Sequence, residues 1–353
     1  MTETTNRIAS DPRIDPRIKN IFGALPAMGP QTDAESREQL VAEANTTEAL
    51  AQRQMLKSFM DMIDTEELAP SAGLTITEHQ VRSDPDGNTI NVRFIRPDSD
   101  ESLPCVYYIH GGGMAALSAY DGNYRAWGKM LAARGVAVAM VDFRNSVIPS
   151  SVDEVAAFPA GLNDCVSGLK WVVANEAELN IDRKRIIVSG ESGGGNLTLA
   201  TGLKLKQDGD LSLIAGLYAL CPYIAGTWPN DDSPSSVENN GILLDLHNNR
   251  GRMGYGIEAF EARNPLAWPS FATEEDVKGF VPTVISVNEC DPLRDEGINF
   301  YRLLIRAGVS ARCRNIIGTI HGTELFPSMC PDISRDTAAS IADFASACGL
   351  RVS

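Results

Sequence analysis

The sequence predicts an α/β fold: a mixed, mostly parallel sheet of about eight strands with helices on both faces. Three observations carry this. Short apolar runs alternate with stretches of helical spacing through most of the chain. The runs are apolar almost throughout, as strands covered on both faces must be. One of them, Arg185 to Ser189, passes through a glycine turn carrying a serine into a helix-compatible stretch, Leu197 to Lys206.

Taken in order, residues 34–45 and 47–64 read as helices, with Leu50, Met55, Phe59, Met60 and Ile63 spaced along one side among good helix formers. The doubled Asp11-Pro12-Arg13-Ile14 and Asp15-Pro16-Arg17-Ile18 is too short for a structural repeat and suits turns or a helix start. Leu74 to Arg82 and Thr89 to Arg96 look like two strands joined by Ser83-Asp84-Pro85-Asp86-Gly87-Asn88, which has hairpin-turn chemistry. Further strands are expected at Pro104 to His110, Val136 to Val141, Arg185 to Ser189, Leu213 to Leu220, Val281 to Asn288 and Ala311 to Ile317. Between two of them Leu162, Cys165, Val166, Leu169, Val172 and Val173 form an apolar stripe at helical spacing. Residues 224–274, rich in Pro, Asn, Asp and aromatics, interrupt the alternation. They suit an inserted cap over a site or an irregular surface excursion.

Composition bounds the function. A chain of 353 residues holds one large α/β domain with an accessory segment, or two modest domains. Hydrophobic content of 43% and charged content of 22% are those of a soluble globular protein. A net charge of -15 argues against nucleic acid, whose phosphates it would repel. No apolar run approaches the ~20 residues of a membrane span. Met1 to Asn20 has no signal-peptide core. Seven scattered cysteines without a Cys-x-x-Cys pair read as reduced thiols in a cytoplasm.

The glycine turn is Gly190-Glu191-Ser192-Gly193-Gly194. A serine hydroxyl is a poor nucleophile unless a strained turn exposes it beside a base, and small residues at Gly190 and Gly194 let strand and helix approach. Four histidines are available as that base. His79 sits in the early hairpin, His247 in the interrupting segment, and His110 opens His110-Gly111-Gly112-Gly113. His321 follows the last strand, where reactive groups of parallel sheets gather, and is the expected base. Asp291 leaves the strand ending near Asn288 and is the expected orienting acid. Asp295 and Glu296 fall in the first turn of the next helix, where acids favour the helix dipole. Three consecutive glycines after His110 leave backbone N–H groups free for a developing oxyanion, with His110 bracing the loop. No Lys-Ser/Thr follows to make it a phosphate loop. Ser192 lacks the Ser-x-x-Lys lysine, and no His or Cys spacing supports a metal site.

These motifs together resemble the hormone-sensitive-lipase-like family of bacterial esterases, the family IV carboxylesterases of the α/β-hydrolases. The resemblance rests on residues 110–113, the elbow at 190–194, Asp291-Pro292-Leu293-Arg294-Asp295-Glu296-Gly297 and His321-Gly322. Val141-Asp142-Phe143-Arg144, Phe158-Pro159-Ala160 and Arg306-Ala307-Gly308-Val309 add to it, over roughly residues 75 to 350. It implies an α/β-hydrolase core of residues 73–353 with eight strands. It also implies a helical cap built from residues 1–72 and an insertion at about 224–275, and no cofactor. The oxyanion hole is implied at Gly112, Gly113 and the N–H of Gly193, and the activity is cleavage of short-acyl esters. Many members form homodimers.

The chain departs from the family at Gly193, usually Ala, and at Thr323, usually aromatic. Phe143-Arg144-Asn145-Ser146 stands for Tyr-Arg-Leu-Ala-Pro-Glu, with a longer loop to Phe158. These changes bear on substrate choice. Relatives that became hormone receptors lost catalysis, typically at the histidine, and a related dehydratase carries threonine as nucleophile. Here Ser192, Asp291 and His321 are all present, so a serine hydrolase is expected.

Overall fold

Eight strands make one sheet: β1 (Leu74–Arg82), β2 (Thr89–Pro97), β3 (Leu103–Ile109), β4 (Ala137–Asp142), β5 (Ile181–Glu191), β6 (Gly216–Leu220), β7 (Thr283–Asn288) and β8 (Ala311–Ile316). They lie in the order β1-β2-β4-β3-β5-β6-β7-β8. β1 and β2 are antiparallel, as are β2 and β4, while the rest run parallel. This computed structural model describes residues 6–24 and 29–349.

Strand burial follows position in the sheet. β3, β4, β6 and β7 are buried at every residue, whereas β2 alternates and the edge strands β1 and β8 are largely half-exposed. Successive side chains of a strand point to opposite faces. Tyr107 therefore joins the core under the helices Ala160–Ala174 and Gly193–Asp208, and Tyr108 joins the core under Gly122–Ala132 and Pro331–Ala347. The two cores together clamp the sheet.

Some boundaries differ from the sequence reading. β5 begins at Ile181, because Ile181 pairs with Leu103 before a register shift bulges out the charged Asp182, Arg183 and Lys184. Those charges hid the strand. Leu211–Leu213 is a single 3-10 turn rather than the start of β6. The helix after the serine begins at Gly193, four residues early, since packing between β5 and β6 overrides the poor helix propensity of three glycines.

The N-terminal segment lies over one end of the sheet. In the doubled motif, the first copy is a turn closed by Asp11 Oδ1 accepting from Arg13 N, 3.0 Å. The second starts the helix Pro16–Phe22, with Asp15 as its cap and Pro16 in the first turn. Ile8, Ile14, Ile18 and Phe22 pack on Ile242, Ile320 and Met329, so this segment rests on the loop that carries His321. The helices Arg37–Ala44 and Thr47–Asp61 follow. Met60 and Ile63 are buried, but Leu50 and Met55 of the expected stripe are 48% and 72% exposed, because only the C-terminal end of that helix reaches the core.

Aromatic contacts order residues 224–275. Trp228 stacks on Tyr223 at 4.7 Å between ring centres, and Trp268 lies edge-on to Tyr223, Trp228 and Tyr255. Asn196, in the helix after the serine, donates to Ala267 O at 3.0 Å and to Tyr223 O at 2.9 Å, tying this layer to the sheet.

A buried ion pair closes the side of the sheet near β2. Asp164, fully buried, accepts from Arg144 N and Nε, both at 2.9 Å, and from Ser83 Oγ at 2.6 Å. Arg144 also reaches Asp86 and Glu154. Asp164→Ala would leave a nearly buried guanidinium short of its main partner, so it should lower unfolding free energy by about 3 kcal/mol. Chemical denaturation of both proteins measures the loss; a change within about 0.5 kcal/mol refutes the role given to the pair.

Candidate active site

The chain order reverses direction across the sheet at β3, which has β4 on one side and β5 on the other. Loops leaving the carboxyl ends of such neighbours open a crevice. Ile109 pairs with Gly190, so the loop His110 to Gly113 and the turn at Ser192 emerge side by side.

Ser192 has φ 57° and ψ -118°, a strained conformation for a residue with a side chain. Its backbone is pinned on three sides. Ser192 N donates to Leu220 O at 3.0 Å, and Ser192 O accepts from Asn196 N at 2.9 Å and Tyr223 N at 3.0 Å. A Cβ at Gly190 would stand 2.6 Å from Gly194 O, so the strand and helix could not meet with larger residues. The turn leaves Ser192 half-buried, facing a cavity of about 200 Å³ that His321 also lines.

Asp291 and His321 come together as the sequence predicted. His321 Nδ1 lies 2.7 Å from Asp291 Oδ2, and Leu293 N donates to Asp291 Oδ1 at 2.9 Å. A carboxylate can only accept, so the shared proton sits on Nδ1 and Nε2 is left as the basic nitrogen. Burial works against the imidazolium and would by itself lower the pKa of His321. The Asp291 carboxylate overrides it and holds the group well above its ordinary 6.5. Cys221, at the end of β6, shares this corner: one ligand atom each from Cys221, Asp291 and His321 lies within 4.8 Å of the others. Burial pushes the Cys221 thiol up to about 11, so it is neutral at pH 7 and the charge on His321 answers to Asp291. Widely separated sequence positions gave no sign of this neighbour.

The remaining candidates sort cleanly. Asp295 does not touch His321; it accepts from Ser235 N at 2.7 Å and pairs with Arg294. Glu296 does more than favour a helix dipole. It accepts from Ile224 N at 2.6 Å and Trp228 Nε1 at 2.8 Å, tethering the start of the 224–275 layer, while burial pushes its carboxyl up to about 8. His79 bonds Thr77 on β1, and His247 bonds Ser236 O, both away from the serine.

The glycine loop presents free donors. Gly112 and Gly113 have φ of +93° and +63°, and a Cβ on Gly193 would stand 2.7 Å from Gly113 N. The elbow and the loop therefore touch backbone to backbone. Among the described residues the N–H groups of Gly112, Gly113 and Gly193 have no protein partner. The N–H of Gly111, by contrast, donates to Glu191 Oε1 at 2.7 Å. Glu191, fully enclosed, also accepts from Tyr108 and Tyr124 hydroxyls, so it locks the loop to the elbow. The only sign of this role in the sequence is the place of Glu191 beside the serine. His110 braces the same loop, stacked on Phe143 at 4.3 Å with its Nε2 3.4 Å from Asp142.

A strained serine between strand and helix, a buried Asp–His pair and orphan amides on one mixed sheet define an α/β-hydrolase, and the chain is a carboxylic ester hydrolase. Residues 106–325 match the family model described as alpha/beta hydrolase fold. The chain is 30% identical over 247 residues to carboxylesterase NlhH of Mycobacterium tuberculosis, covering 69% of this chain and 73% of that protein. Among solved structures it is similar to esterase Est22, at 68% identity and TM-score 0.94, covering 96% of this chain and 99% of that one. It is also similar to brefeldin A esterase, described as a bacterial homologue of human hormone-sensitive lipase, at 34% identity and TM-score 0.85, covering 96% and 94%. The chain belongs to the hormone-sensitive-lipase-like esterases, family IV.

The Asp291 contact sets a titration. In the folded protein the His321 imidazole should titrate above 6.5, and Asp291→Asn, which leaves burial acting alone, should bring it below that value. NMR of the imidazole protons across pH reads both. An Asp291→Asn protein whose His321 titrates as high as the wild type contradicts the assignment of cause.

Proposed function

We propose that this esterase works through an acyl-enzyme on Ser192. Ser192 Oγ attacks the ester carbonyl while His321 Nε2 takes its proton. His321 then gives that proton to the leaving alcohol, and water repeats the attack to release the acid. Asp291 holds the tautomer and stabilises the imidazolium. The oxyanion accepts from the N–H groups of Gly112, Gly113 and Gly193. The observation that carries this reading is the 2.7 Å Asp291–His321 bond beside the cavity that the elbow serine faces. No cofactor is needed for these steps.

The substrate is a small ester with a short acyl chain. The cavity at Ser192 is apolar, walled by Met60, Leu117, Leu244, Leu325 and Phe326, and its volume of about 200 Å³ holds only a few carbons. Met60 belongs to the N-terminal segment and Leu244 to the 224–275 layer. Residues 1–72 and that layer thus act as a cap over the hydrolase core rather than as a separate domain. Seven free thiols, six of them buried, fit a cytoplasmic protein, and a homodimer is the family's habit.

Two experiments test the reading. An activated short-chain ester should give a burst of alcohol, and an organophosphate should inactivate the protein with a matching mass on Ser192. Asp291→Asn should cost on the order of 10⁴ in kcat with its fold kept, whereas Asp295→Asn should cost around 1 kcal/mol of stability and little turnover. Neither burst nor label, or a dead Asp295→Asn beside an active Asp291→Asn, overturns the mechanism.

Rates over an acyl-length series test substrate and cap together. They should peak at short chains, and Met60→Ala should move the peak to longer ones, since each CH₂ that finds room adds ~0.8 kcal/mol of binding. A wild-type optimum beyond about ten carbons sinks the short-acyl reading, and a peak that ignores Met60→Ala sinks the cap.

A further inference from the structure

The pocket at Ser192 has two neighbours. Gly113, next to Gly112 of the serine's cavity, lines a second cavity of about 590 Å³ between the glycine loop, Tyr223, Val147 and the N-terminal helices. A third, of about 500 Å³, runs beside it and shares Met60 and Leu117 with the cavity at the serine. Arg53, Leu56, Ala116 and Ile148 line both the second and the third, and the charged one among them is Arg53, on the helix Thr47–Asp61.

Arg53 is an unusual arginine for this chain. Among the described residues it has no hydrogen-bond or ion-pair partner, and its Nη1 is shielded from solvent and unpaired. A shielded guanidinium donor with nothing to bond is costly, and one lining a cavity is satisfied when a ligand brings an acceptor. The neighbouring charges do not supply it. Glu43, across the second cavity, is taken by Arg250 and Gln39. Lys57 pairs with Asp61, and Asp121 accepts from Ser118 N. The wall of the second cavity thus carries Arg53 and Arg250 against Glu43 alone, a net positive patch in a chain of net charge -15. Such a patch attracts one class of ligand.

We propose that Arg53 is a specificity-determining residue and that the esterase favours esters carrying a second, free carboxylate, such as half-esters of short dicarboxylic acids. This rests on the esterase reading above. The scissile carbonyl sits at Ser192 and the glycine loop, one arm of the substrate extends past Gly113, and its carboxylate meets the Arg53 guanidinium. A planar guanidinium suits a carboxylate better than a point charge does, and the pair forms in a partly desolvated cleft where it discriminates well. Catalysis by Ser192 and His321 is unchanged in kind, so the selection appears as preference among esters.

Paired substrates of equal shape test this at pH 7.5, where the free carboxylate is ionised. Monoethyl glutarate and its amide, ethyl 4-carbamoylbutanoate, place the charge on the acyl arm. The salt of 4-acetoxybutanoic acid and 4-acetoxybutanamide place it on the alcohol arm. In at least one pair kcat/KM should favour the carboxylate by about tenfold or more, the scale of a charge-assisted hydrogen bond. That preference should shrink as salt is raised. Arg53→Met, with Arg53→Gln as a second variant should the first fold poorly, should bring the ratio near one, and Arg53→Lys should keep part of it. Amides turned over with ratios near one in both pairs, or a preference that survives Arg53→Met and Arg53→Gln, overturn this proposal and leave the esterase reading standing. Failure to turn over any of the four esters or an activated acetate ester would count instead against the esterase reading.

Discussion

The strained turn at Ser192 is the constraint around which the rest of the site is arranged. A side-chain-bearing residue at φ 57° and ψ -118° costs on the order of 1–3 kcal/mol and persists only if its surroundings allow no relaxation. Here they do not. β6 bonds its amide, the following helix and Tyr223 bond its carbonyl, and the helix of Gly193–Asp208 starts at the next residue. Two glycines let the strand and helix close over it. The parallel sheet, buried on both faces, makes that cage stiff enough to hold the hydroxyl toward the cavity.

A second theme is the use of buried carboxylates in an acidic chain. Asp291 orients a histidine, Glu191 ties the glycine loop to the elbow, Glu296 tethers Ile224 and Trp228, and Asp164 holds Arg144. Each is enclosed and each finds at least two donors. A buried carboxyl group is tolerated in such a place only with that support, and once supported it fixes geometry more sharply than apolar contact does. The exposed acids are thus a different population from the buried ones around the site. The wall of the second cavity has the reverse polarity, with Arg53 and Arg250 against Glu43.

Much of this was legible in the sequence. The central strands show as apolar runs because both of their faces are buried, while β1 and β2 show through the hairpin turn that joins them and the half-exposed β8 through its place in the alternation. Ser192, Asp291 and His321 stand out as candidates because their glycine, Asp-Pro and His-Gly settings sit at strand ends, and the structure brings Asp291 to His321 and His321 to the cavity that Ser192 lines. The choice of Asp291 over Asp295 also followed from that rule, and the geometry agrees, since only Asp291 reaches His321.

What the sequence determined by itself was local: period, turn chemistry and the residue types of a reaction. What tertiary structure alone decided was adjacency. Glu191 under the glycine loop, Cys221 beside His321 and Arg53 in the wall of the second cavity join positions far apart in the chain, and no spacing encodes them. Leu50 and Met55 carry a helical apolar pattern yet face outward, because burial depends on what lies opposite a helix as well as on the helix itself. The three glycines after Ser192 become helix for the same reason. Local preference is worth about 1 kcal/mol per glycine, and the packing of a buried helix between two strands outweighs it.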